Sequence, residues 1–236
     1  MQMLRSIVFT IVLFISVAPF ALLVILVRIF GTKASATVSK SWAHFIDWSC
    51  RVLCGLSFSI EGQENIPDQA CVVFLKHSSA YETIIQWLVM PEQTWVLKRE
   101  LMWAPFFGWA LACLSPIAIN RGSGKQAVNQ VINKGKKQLS AGRCIMIFPE
   151  GTRMPSGQTR RYGISGTLLA QEAGTVILPI AHNAGDYWPR RGWLKRPGNV
   201  VFSIGKAVNP AGRDPRQVNE EIQEWIESRL KEIQSR

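Results

Sequence analysis

The chain has 236 residues, with 27 Lys and Arg against 16 Asp and Glu for a formal net charge of +11, and it is 47% hydrophobic but only 18% charged. That apolar content excludes wholesale disorder, and a chain both greasy and basic suits an anionic surface, phospholipid or nucleic acid, better than free solution. Five cysteines without paired spacing argue against a secreted disulfide framework.

From Ser6 to Val27 there is no charged residue. As a helix this run crosses or nearly crosses a hydrocarbon layer of ~30 Å. Pro19 inside it predicts a kink. The run is longer than the about 7–15 residues of a signal sequence's apolar core, so it is expected to stay as a membrane anchor. Arg28, Lys33 and Lys40 follow it and only Arg5 and the α-amine precede it, so the remaining chain is expected to face the cytoplasm. Between Ser39 and Ser57, residues Trp42, Phe45, Ile46, Trp48, Val52 and Leu53 include pairs three or four apart, as on an amphipathic helix. This suits an interfacial helix beside the first or a core-packing helix of the main domain. Residues 1–57 are expected to form the N-terminal anchor and 58–236 a single domain.

In that second part, short apolar runs alternate with helical stretches. Strands are expected at Ser57–Ile60, Cys71–Leu75, Thr94–Leu97, Pro116–Ile119, Cys144–Phe148, Val176–Ile180 and Val200–Ile204. Runs such as ACVVFL and CIMIF are continuous, as in strands covered on both faces. Helices are expected at Tyr81–Val89, Lys125–Leu139, Ile164–Glu172 and Pro215–Ile233. The last has Asp214 as N-cap, Pro215 in the first turn and Val218, Ile222, Ile226, Leu230 and Ile233 on one face. The fold class is α/β: a mixed, largely parallel central sheet flanked by helices.

Three stretches follow strand ends and carry chemistry. In LKHSSAYET (75–83), neither a continuous helix nor a strand pairs His77 with Glu82, five positions on, but a strand ending at Lys76 and a turn through Ser78 and Ser79 could fold the acid back onto the imidazole. The residues alone equally fit a surface histidine beside a helix-terminal glutamate. In FPEGTR (148–153), Gly151 lets the backbone approach a ligand and Arg153 offers a fork suited to phosphate; an ordinary turn with a surface arginine is the plain alternative. In 96–121, Lys98 and Arg121 sit at two more strand ends with an apolar, aromatic stretch between them. All these ends could converge on the carboxyl edge of one sheet, where α/β proteins place ligands.

Together these stretches resemble the glycerolipid acyltransferase family. Lys76, His77 and Glu82 match its N-H-x-x-x-x-D block; Lys98, Glu100, Leu101, Pro105, Gly108 and Arg121 match its K-x-E-L-x-x-x-P-x-x-G block and the arginine after it. Phe148 to Arg153 match F-P-E-G-T-R in full, and Leu178, Pro179 and Ile180 match the short apolar-Pro-apolar strand. There are two departures: Glu82 stands for the aspartate and Lys76 for the asparagine. The resemblance implies transfer of a fatty acyl group from acyl-CoA or acyl-carrier protein to the 2-hydroxyl of lysophosphatidic acid, giving phosphatidic acid. It implies His77 as general base oriented by Glu82, and Lys98, Arg121 and Arg153 on the acceptor phosphate. Glu150, Gly151 and Thr152 would shape the substrate floor or hold the developing oxyanion. No metal or other cofactor is expected, and the partners are membrane phospholipid and the two substrates.

Other classes fit less well. No nucleic-acid motif accompanies the +11 charge. Arg121-Gly122-Ser123-Gly124-Lys125 lacks the leading glycine and following hydroxyl of a nucleotide loop. His44, His77 and His182 are the only histidines and form no zinc motif. The remaining alternatives are the same chemistry on a headgroup-bearing lysophospholipid or a lyso-ornithine lipid, and a non-catalytic membrane scaffold. Finally, Trp188 to Arg196 packs four cations and two indoles into nine residues, a candidate second contact with anionic headgroups.

Overall fold

The continuous apolar runs form strands buried on both faces. The structure, a computed structural model, describes residues 1–236, the side chain of Arg121 excepted. Seven strands, β1 (Leu56–Glu61), β2 (Val72–Leu75), β3 (Gln93–Lys98), β4 (Ile117–Ile119), β5 (Cys144–Ile147), β6 (Ile177–His182) and β7 (Gly198–Ile204), build one sheet in the order β1-β7-β6-β2-β5-β3-β4. Strands β2 to β6 run parallel; β7 is antiparallel to β6 and pairs in parallel with β1. The sheet is therefore mixed and largely parallel. The parallel strands all deliver their carboxyl ends to one edge, while β7 and β1 turn the opposite way.

Helices cover both faces. Along β2, Val73 and Leu75 join a core shared with α1 (Gln2–Leu26), α2 (Thr32–Cys54) and α3 (Tyr81–Val89), while Val72 and Phe74 join a second core with α5 (Lys125–Ser140), α6 (Ser165–Ala173) and α8 (Pro215–Gln234). Two short helices, α4 (Phe107–Cys113) and α7 (Ala184–Tyr187), lie in the connections after β3 and β6. Helix α8 buries the expected face, Val218, Ile222, Ile226, Leu230 and Ile233, and Asp214 accepts from the Arg216 amide at its start.

The apolar N-terminal run is α1, which continues unbroken through Pro19 and is the one helix among the described residues long and apolar enough to cross a membrane. Its buried residues Ser6, Phe9, Ser16, Ala21 and Val24 recur on one side along its whole length. That side packs on the rest of the chain: Trp42 of α2 donates to Ser16, and Ser35 donates to the Val24 carbonyl. The opposite side, including Phe14 and Ile15 at 70% and 69% exposure, is open. Helix α2 starts seven residues before the expected Ser39, and its Ala43, Ile46, Cys50 and Cys54 enter the first core. That face is core-packing, while Trp48 and Val52 on the other stay exposed.

Candidate active site

Register does the first part of the work. Phe74 pairs with Ile147 across β2 and β5, and Leu75 with Ile180 across β2 and β6. Continuing both ladders brings His77 level with Glu150 and with His182. The bonds beyond the strands bear this out: Glu150 Oε1 accepts from the His77 amide at 3.4 Å, and the Met154 amide donates to the His77 carbonyl at 2.7 Å. The FPEGTR turn and the residue after it thus hold both backbone groups of His77.

The turn read into Ser78-Ser79 folds Glu82 back onto the ring. Glu82 Oε1 accepts from His77 Nδ1 at 2.8 Å and from the amides of Ser78 and Ser79 at 3.1 and 3.0 Å. Glu82 lies in the first turn of α3, where helix-terminal amides favour a negative charge. Burial works to raise its carboxyl, but the hydrogen bonds from His77 and the Ser79 amide outweigh this and hold it below the usual range. A carboxylate on Nδ1 requires the proton there and leaves Nε2 with its lone pair, the state of a general base. The ring of Phe148 stacks on the imidazole with centroids 4.0 Å apart and sets its plane.

His77 opens onto a pocket of about 340 Å³ between the first core and the N-terminal helices. Phe20, Ala21 and Val24 of α1, Trp42 of α2, Ile84 and Trp87 of α3, and Phe107 and Leu111 of α4 line its apolar length, and Lys98 and Arg153 stand with His77 at its polar end. Lys98 is half exposed and 3.7 Å from Glu100; Arg153 is half-buried, its Nε without a hydrogen-bond partner. Arg121 follows β4 at the same edge of the sheet, but its side chain lies outside the described residues.

The third block packs against the backbone of His77. Glu150 is buried behind His77 and does not line the pocket. Burial, aided by a second carboxylate on Glu227, pushes its carboxyl up to about 7. The Gly151 amide donates back to the Phe148 carbonyl at 2.9 Å, closing the turn in the left-handed conformation (φ 69°) that glycine adopts without strain. Thr152 is partly exposed beside it.

Two residues at the site were not among the expected site residues. Buried His182, at the end of β6, has Nδ1 accepting from the Ala184 amide at 3.2 Å, so its Nε2–H donates to the Lys76 carbonyl at 2.7 Å. Burial lowers its basicity, in keeping with a neutral ring. Glu227 of α8 meets the ammonium of Lys76. Position at a strand end marked His182; nothing local marked Glu227, 151 positions along the chain from its partner.

Residues 57–183 match the acyltransferase family model. The chain belongs to this family. A 1-acyl-sn-glycerol-3-phosphate acyltransferase of Pseudomonas aeruginosa is 44% identical over 83% of this acyltransferase and 77% of that protein. One from Borreliella burgdorferi is 30% identical over 66% and 60%. A lyso-ornithine lipid O-acyltransferase of P. aeruginosa is 30% identical over 57% and 51%. The crystal structure of the 1-acyl-sn-glycerophosphate (LPA) acyltransferase PlsC from Thermotoga maritima superposes with a TM-score of 0.83 over 100% of this chain and 97% of that one, at 20% identity, a match of fold.

Proposed function

We propose that this acyltransferase moves a fatty acyl group from the thioester of acyl-CoA or acyl-carrier protein to the 2-hydroxyl of lysophosphatidic acid. The observation that carries the reading is the His77–Glu82 pair, 2.8 Å apart, at the polar end of an apolar pocket that also holds Lys98 and Arg153. Nε2 of His77 takes the hydroxyl proton as the oxygen attacks the thioester carbonyl; the C–S bond then breaks, and the proton passes to the departing thiolate. Glu82 stabilises the imidazolium between these steps. The two cations suit the acceptor phosphate, and the apolar length suits an acyl chain.

Both substrates are amphiphiles, and the geometry of α1 supports delivery from a membrane. One side of the helix is packed on the protein from Ser6 to Val24, so we read it as lying along the domain with its open face in one leaflet, rather than crossing alone. Residues of the packed half line the pocket that reaches His77. The domain then faces the cytoplasm, where the thioester donors are held.

The likeness to a lyso-ornithine lipid O-acyltransferase supports a second reading, the same chemistry on an acceptor without a phosphomonoester. One experiment tests both. The purified chain in detergent receives lysophosphatidic acid, headgroup-bearing lysophospholipids and lyso-ornithine lipid, each with acyl-CoA or acyl-carrier protein, and the products are identified by mass spectrometry. Phosphatidic acid as the dominant product is expected; equal or faster turnover of another acceptor overturns the assignment.

A further inference from the structure

Consecutive residues at the end of β2 point to opposite sides of the sheet edge. His77 follows Val73 and Leu75 toward the pocket, and Lys76 follows Val72 and Phe74 toward α8. Lys76 is 0% exposed, and a buried ammonium is costly unless it is paired and hydrogen-bonded. Its three partners come from α8 and from the connection between β5 and α6. Glu227 of α8 makes the close ion pair, the Gln158 carbonyl accepts at 3.0 Å, and Glu150 Oε1 lies 3.8 Å away. Behind it, His182 donates to its carbonyl at 2.7 Å. That same Glu150 oxygen accepts from the His77 amide.

We propose that Lys76 is a positioning residue for the reaction, and that α8, through Glu227, is a working part of the active site. The ammonium ties the β2 end, the FPEGTR turn and the C-terminal helix into one unit, and this unit fixes the backbone from which His77 reaches the acceptor. Glu227 lies beyond residue 183, where the family match ends. A shift of the His77 backbone by a fraction of an ångström misdirects Nε2 without altering the cations that hold the acceptor. The role rests on the base assigned to His77 above.

The test compares Glu227→Gln with the double variant Lys76→Met/Glu227→Gln, which keeps the aliphatic stem but removes the ammonium that needs a partner. Glu227→Gln is expected to lower kcat by about 10²-fold, the scale of a small misplacement of a catalytic group, with KM for either substrate changed by less than about twofold. The double variant should fold, since no lone charge remains buried, and should keep the kcat loss, since the ammonium that ties the segments is gone. In protein labelled with ¹⁵N-histidine, the His77 Nδ1–H resonance should move in Glu227→Gln and stay displaced in the double variant.

Unchanged kcat and unchanged His77 resonances in Glu227→Gln overturn the proposal, as does a double variant with wild-type kcat. If Glu227→Gln does not accumulate folded, Glu227→Asp replaces it, with a kcat loss still expected and wild-type kcat decisive against. The NMR arm needs no substrate, so it separates a failure of this role from a failure of the acceptor assignment, in which wild type itself would not turn over lysophosphatidic acid.

Discussion

Replacing an aspartate by Glu82 adds a methylene to the acid, and the local backbone accommodates it. The longer side chain curls under the turn and collects the amides of Ser78 and Ser79 along with the His77 ring. General-base catalysis commonly contributes about 10²–10⁴-fold, so His77→Ala should lower kcat by about 10³-fold in a steady-state assay and leave vesicle binding intact. The raised carboxyl of Glu150 has its own signature. The folded state keeps a proton that the unfolded chain loses above the ordinary value of 4.5, so this group favours folding most at low pH and less as pH rises toward about 7. Glu150→Gln cannot ionise. Thermal unfolding should show the variant gaining about 3 kcal/mol relative to wild type between pH 5 and pH 8; parallel pH profiles would contradict this.

At the scale of elements, the turn Arg99–Trp103 and helix α4 form one wall of the pocket, and they meet backbone to backbone at Gly108. A Cβ there would lie 2.3 Å from the Met102 carbonyl oxygen, and a backbone atom cannot rotate aside. Gly108→Ala should therefore push α4 off the turn that follows Lys98, costing about 1–3 kcal/mol. Calorimetry should show the lower Tm, and kcat/KM should fall because the wall carries Phe107 and Leu111. The basic loop behaves as an element too, but with one cation removed from the surface. Lys195 is buried, donating to Thr10 Oγ1 at 2.6 Å and lying 5.0 Å from the Trp188 ring. Its amide donates to Ser6, and Gln2 donates to its carbonyl. Lys195 thus pins the start of α1 to the loop, while Arg190, Arg191, Trp193 and Arg196 remain exposed.

For the whole molecule, the open side of α1 is an apolar surface without a covering element. Phe14 and Ile15 stand there, away from the packed stripe. Burying a large apolar side chain contributes about 1.5–3 kcal/mol, so Phe14→Ser with Ile15→Ser should weaken partition into phosphatidylglycerol-containing vesicles by at least about 10²-fold in a flotation assay. Tm and turnover of detergent-dispersed substrate should stay near wild type, because neither residue lines the pocket. A helix that crossed the bilayer alone would instead hold the protein in vesicles after both changes.

Much of this protein was legible residue by residue. Seven apolar runs became the seven strands, the four expected helices of the second part formed within a residue or so of their bounds, and His77 with Glu82 came together. These features follow from local causes: burial period, caps, and a turn only a few residues long. The close packing of α1 along the sheet-bearing domain, the retreat of Glu150 from the pocket, the inward turn of Lys195 and the meeting of Lys76 with Glu227 came only with the tertiary structure. Each depends on segments far apart in the chain, where a side chain's partner is set by how the sheet's edges and helices stack rather than by its neighbours in sequence.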